Sequence, residues 1–156
     1  SYLTIEHKGH IEKKYRKAIG TRIYGCDDCL SVCPWNKFAK QTKENRLKAR
    51  SELEAPQLSQ LVQLNDEEFR TLFRKTAIKR TGHERFIRNT LIAIGNTGDA
   101  ALAPSAEAQL RAHSPLIRAM AVWALKQLLD EDSFRRLRMH HEGTEADPEV
   151  KSEWSQ

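Results

Sequence analysis

The residues best suited to chemistry are three cysteines, Cys26, Cys29 and Cys33, in the run GCDDCLSVCPWN. Their C-x2-C-x3-C-P spacing is part of a run that holds 4Fe–4S cubanes, in which the last cysteine before proline serves a second cluster. Soft thiolates bind iron–sulfide cores well. Tight turns between the ligands aim sulfurs and backbone N–H groups at one anionic cluster, and Gly25 and Pro34 suit such a wrapping loop. Three other uses of the cysteines fit less well. An odd count in a charged sequence with no secretory signal argues against disulfides. A zinc site completed by His7 or His10 would ordinarily show two close ligand pairs. A redox dithiol would ordinarily sit in alternating strands and helices, which the sequence does not suggest.

Three thiolates cannot saturate even one cubane. The chain opens on Ser1, with a stretch that reads as the middle of a domain. Both observations lead us to expect a piece of a longer protein, with further ligands upstream. The 156 residues suffice for one ordinary domain or two small ones, and no apolar run is long enough to span a bilayer. The expected location is the cytoplasm and the expected state a monomer. Of the net charge of +5, much is local. Arg74, Lys75, Lys79, Arg80, Arg85 and Arg88 face a single acid, Glu84, between positions 74 and 88, whereas the stretch from Asp130 onward is acidic. A basic cluster of this kind suggests a polyanion site, and solvated helix faces are its plainer alternative.

The elements that must position these groups fall into two parts joined by a connector. SYLTIE alternates polar and apolar residues and predicts a short strand. Ile11, Tyr15 and Ile19 predict a short helix stopped by Gly20. Residues 41–56 are charged and end in Pro56, so they read as the connector. Beyond them the period is helical: Leu58, Leu61 and Leu64, then Phe69, Leu72 and Phe73 behind a cap at Asn65 or Asp66. An internal repeat follows. Phe86-Ile87-Arg88 aligns with Leu116-Ile117-Arg118 and with Glu149-Val150-Lys151, and the last two copies follow Pro115 and Pro148. GNTGDAALAPSAEAQLRAH between the first two copies predicts a turn and a second helix. Helix pairs at this period characterise α-solenoids, and the segments resemble HEAT-like repeats. The expected fold is mainly α. It comprises a partial ferredoxin-like iron–sulfur segment over 1–40, the connector, and a HEAT-like helical repeat domain over 57–156.

SYLTIEHKG followed by IGTRIYGCDDCLSVCPWNKFA resembles the second cysteine motif of epoxyqueuosine reductases, and RFIRNTLIAIGNTGD resembles the start of that family's C-terminal HEAT-like domain. The resemblance implies two 4Fe–4S clusters and cobalamin, used to reduce epoxyqueuosine to queuosine in a tRNA anticodon stem-loop. It also implies an electron donor such as flavodoxin or ferredoxin. Carried over by motif, Cys26 and Cys29 would ligate the cluster nearer the cobalamin and Cys33 the other. Ser1, Cys26 and Asp27 would lie near the corrin. The catalytic acid would lie outside this chain, which alone would be inactive.

Lys8, Lys79, Arg80, Arg85 and Arg88 are the candidate tRNA contacts. For Arg88, as for Arg118, a structural role bonding to neighbouring helices is the favoured rival. His83 is a lesser phosphate candidate. Trp35 is expected to pack over the cluster, Trp123 to lie in the core, and His140 and His141 to be exposed. Asp27 and Asp28 are expected to be solvated or locally hydrogen-bonded. Two further functions fit the same residues: an electron-transfer module whose repeats dock a protein, and a zinc-stabilised scaffold.

Overall fold

The computed structural model describes residues 1–40, 43 and 50–155. Half of the connector expected at 41–56, positions 41, 42 and 44–49, therefore lies outside the described residues. Ten α-helical segments are described, with 3-10 turns between some of them: α1 Tyr2–Ile5, α2 Lys13–Ile19, α3 Asp28–Ser31, α4 Leu58–Leu61, α5 Asp66–Leu72, α6 His83–Thr97, α7 Ala103–Glu107, α8 Pro115–Leu128, α9 Glu131–His141 and α10 Pro148–Trp154.

The first segment corrects the strand expected for SYLTIE. It is one helical turn, with Ile5 N–H donating to Ser1 O at 3.0 Å and the Thr4 hydroxyl to the same carbonyl at 3.0 Å. The reason is tertiary. Carbonyls of residues 3–9 that would face a neighbouring strand are bonded instead by side chains from α6. Helix α2 follows as expected and ends at Gly20, where φ is +62°. Helix α5 is closed by a capping box, with Asn65 Oδ1 accepting from Glu68 N–H and the Glu68 carboxylate from Asn65 N–H. The second helix expected between the first two repeat copies is broken instead into a 3-10 turn, α7 and another 3-10 turn.

Repeat copies one, two and three begin helices α6, α8 and α10. Helix α8 packs along α6, and α10 packs on α8. Leu91, Ile92, Ile94, Met120, Val122 and Leu125 are fully buried between them, and Phe69, Phe73 and Phe86 close the α5 end with ring centroids 4.8–5.2 Å apart. Trp123 is buried as expected, and the closeness of the α6–α8 crossing is visible at Gly95. A Cβ there would stand 2.6 Å from Trp123 Cζ3 and 3.0 Å from the Ala124 backbone. Gly95→Ala should therefore force the two helices apart and cost about 1–3 kcal/mol in urea unfolding despite alanine's better helix propensity. An unchanged midpoint would contradict this packing.

The cysteine-bearing segment shares this core. Ile11 is fully buried in it, and Leu3, Ile19 and Ile23 pack against it. A bidentate ion pair, Arg16 Nη1 and Nη2 to the Glu153 carboxylate at 2.9 and 2.8 Å, ties α2 to α10, both side chains being buried. Asn96 of α6 donates to Arg16 O and Gly20 O, both at 2.8 Å.

Candidate cluster loop and nucleic-acid interface

The cysteine loop is a succession of tight turns. Gly25 has φ +69°, and Asp27 takes the left-handed conformation that starts α3. Cys33 N–H donates to Leu30 O at 3.1 Å, and Pro34 opens a 3-10 turn, Pro34–Phe38. Arg22 grips Asp28 at 3.0 and 3.2 Å, and the Asn36 amide donates to Leu30 O, so the loop is closed by its own side chains. All three cysteines are free thiols, Cys29 exposed and the others half-buried.

Among the described residues, no three Cys, His, Asp or Glu side chains converge where one metal ion could sit. His7 Nε2 lies 2.9 Å from the His10 carbonyl. The three thiols are outside any disulfide and stand on successive turns of the loop.

Ser1 and Cys26 come together, with Oγ and Sγ 3.5 Å apart. The Ser1 hydroxyl, and after it the Asp28 backbone N–H, hold the Cys26 thiol below its ordinary value. Both residues line a cleft of about 320 Å³ with Tyr2, Thr4, Tyr15 and Arg22. Of the expected corrin neighbours, Asp27 does not line this cleft, whereas Asp28 does. Trp35 is exposed, with its ring 5.6 Å from Phe38.

Helix α6 holds this loop from behind. The Arg88 guanidinium donates to Leu3 O at 2.8 Å, His7 O at 2.8 Å, Gly9 O at 2.7 Å and Asn89 Oδ1 at 2.9–3.0 Å. The Asn89 amide donates to Thr4 O at 2.7 Å and Ile23 O at 2.8 Å, and the Thr4 hydroxyl accepts from Gly25 N–H at 3.1 Å. A continuous set of bonds thus runs from α6 to the residue before Cys26.

Arg88 is 0% exposed, and this removes it from the RNA-contact candidates. Its charge is spent on carbonyls of the cysteine segment, the structural role given above as its rival. Burial, and then the Arg85 charge, pull its pKa down to about 10, which leaves it charged at neutral pH. Lys8, Lys79 and Arg80 are exposed and free to meet phosphate. Arg85 is half-buried, its guanidinium fixed by Ile5 O, Glu6 O and Arg80 O at 3.1–3.2 Å. Lys8 and Arg85 line one groove although 77 positions separate them in sequence.

His83 is committed inward. Its Nε2 lies 2.6 Å from Leu64 O and its ring stands edge-on to Phe69. Arg118 repeats the structural logic of Arg88, with two bonds to Glu145 at 2.8 and 2.9 Å, which draw that carboxyl down to about 2. His140 is exposed as expected, while His141 is half-buried and stacked on Trp154.

Free thiols on successive turns are the ligand type that iron–sulfur proteins use, and comparison with known proteins points to that class. Residues 1–36 match the 4Fe-4S double cluster binding domain. The particular resemblance is to epoxyqueuosine reductases, and both sequence and structure show it. The chain is 43% identical over 128 residues to the epoxyqueuosine reductase of Xanthomonas campestris, covering 81% of this chain and 36% of that protein. It is 39% identical over 131 residues to that of Escherichia coli, covering 83% and 34%. A crystal structure of an epoxyqueuosine reductase with an epoxyqueuosine-modified tRNA-Tyr stem loop superposes with a TM-score of 0.91 at 29% identity, covering 99% of this chain and 41% of that one. The Streptococcus thermophilus enzyme gives 0.82 at 27% over the same shares. The chain thus spans about a third of the length of the curated relatives it matches.

Proposed function

We propose that this chain is the cluster-ligating and tRNA-contacting part of a cobalamin-dependent reductase that converts epoxyqueuosine to queuosine. The observation that carries the reading is that the free-thiol loop and the basic edge are bolted to the same helix, α6, through Arg88, Asn89 and Arg85. Cys26 and Cys29 hold one 4Fe–4S cluster and Cys33 contributes to a second. Each cluster takes four thiolates, so other residues of the whole protein complete both. When bound, the clusters would supply single electrons, drawn from a donor such as flavodoxin or ferredoxin, to cobalamin, for which Ser1, Cys26 and Asp27 are the candidate contacts in this chain.

The remaining work falls to this chain's own side chains. Ser1 hydrogen-bonds the Cys26 sulfur and favours its thiolate form. Asp27 supplies the left-handed turn that aims Cys26 and Cys29. Lys8, Lys79, Arg80 and Arg85 hold the anticodon stem-loop through phosphates, contacts that position without reading sequence. The helical part, 57–156, acts as a HEAT-like repeat platform and 1–40 as the cluster segment. The acid that protonates the departing epoxide oxygen belongs elsewhere in the whole protein, and the chain by itself is inactive.

Iron and acid-labile sulfide analysis of the whole anaerobic protein tests the reading. About eight of each per protein is the expected content, and C26A or C33A should each lower it by about four. Stoichiometric zinc without sulfide would overturn the redox assignment.

A further inference from the structure

We propose that the N-terminus of α6 is a phosphate-binding site and that Thr81 supplies it with a hydroxyl donor. The ligand is one backbone phosphate of the bound stem-loop, so the inference rests on the RNA reading above.

Helix α6 runs 15 residues, and its N-cap is Gly82, which has no side chain to close the first turn. The N–H groups of His83, Glu84 and Arg85 form the first turn of the helix, where N–H groups have no acceptor within their own helix. Helices α5, α9 and α10 close the same position with Asn65, Asp130 and Asp147. At Gly82 φ is +81° and a Cβ would meet nothing within 4 Å, so the approach to these N–H groups is open.

The independent observation is Thr81. It is 3% exposed, and its Oγ1 is a buried polar atom with no hydrogen-bond partner among the described residues. Stranding a hydroxyl costs free energy that a bound acceptor would recover. Thr81 lines a groove of about 440 Å³ together with Gly82, His83, Lys8, Arg85 and Leu116.

The charge in the groove suits an anion. Arg85 is held by three carbonyls and has no carboxylate partner among the described residues, and Lys8 is exposed. Two acids also line it. Asp66 is paired with Arg70 at 2.6 Å, and Glu84 is exposed at the first turn. Lys79 and Arg80 immediately precede the site. Helix dipole, open N–H groups and flanking cations together make an anion cradle.

Thr81→Val removes the hydroxyl and keeps the shape, so without ligand its thermal midpoint should be unchanged or higher. Inorganic phosphate should shift the His83, Glu84 and Arg85 backbone amide resonances saturably in the whole parent protein, and about fivefold more weakly in its T81V and Lys8→Gln variants. A stem-loop scanned with single neutral methylphosphonate linkages should then show one linkage that weakens parent binding about tenfold and T81V binding less than about twofold. If the stem-loop binds but no linkage distinguishes T81V from its parent, the site is not a phosphate site and the RNA reading stands. Absence of any stem-loop binding would remove the RNA reading, and this ligand with it.

Discussion

Arg88→Ala should release the cysteine segment from the helical unit and cost about 4–6 kcal/mol. The guanidinium reaches three carbonyls in residues 3–9 and also braces Asn89 Oδ1, all at 3.0 Å or less. Alanine leaves those acceptors in a dry interface, at about 1–3 kcal/mol each if nothing moves, and adds a cavity where a fully buried side chain stood. Detachment is the cheaper response, because the carbonyls can then meet water. The loss should therefore appear first as local opening. Backbone amides of the first 25 residues should exchange with solvent far faster, while those in the middle of α8 keep most of their protection. Cluster content should fall in parallel, since Thr4, held by Asn89, is what binds the Gly25 N–H beside Cys26. Arg88→Lys retains the charge but cannot span three carbonyls, so it should behave much like alanine. Parental exchange at Leu3–Gly9 in R88A would show that the staple does not hold the segment.

What the sequence makes legible is what depends on neighbours in sequence. The cysteine turns are encoded by Gly25, Pro34 and the intervals between thiols, and the helices α6 and α8 by the apolar faces Leu91–Ile92–Ile94 and Ala121–Val122–Leu125. The Asn65 cap is readable for the same reason. Alternation in SYLTIE misleads because its carbonyls are satisfied from α6, some 80 residues later, and no local pattern announces that. Arg88 shows the same limit from the other side. In sequence it is one of six cations in a basic run, and only the fold reveals that it is fully buried while Lys79 and Arg80 are exposed. The stranded hydroxyl of Thr81 leaves no trace in composition or period, and neither does the approach of Lys8 to Arg85.

The Arg16–Glu153 pair is the longest of these unreadable contacts and the second large effect. Glu153→Gln should cost about 3–5 kcal/mol, because it leaves the Arg16 guanidinium charged, 3% exposed at its side chain, and without its bidentate partner. Lys13, 3.9 Å away and more exposed, can turn to water once the carboxylate is neutral. Arg16 cannot follow it, since its Nε is bound to Ile11 O at 2.8 Å and its guanidinium lies over the Trp123 ring at 5.7 Å. Arg16→Met should cost a similar amount by stranding Glu153. The double variant R16M/E153M, apolar on both sides, should recover most of either loss, as buried pairs replaced whole commonly do. Urea midpoints of the four proteins measure the coupling directly. Through this pair the third repeat copy reaches the cysteines, because α10 clamps α2, and α2 leads through Gly20 and Ile23 into the thiol loop. The single variants should therefore also weaken cluster retention under chelator challenge, and the double variant should not. Additive losses in the double variant would mean that the pair is a surface-like contact with no part in holding the cysteine segment to the helices.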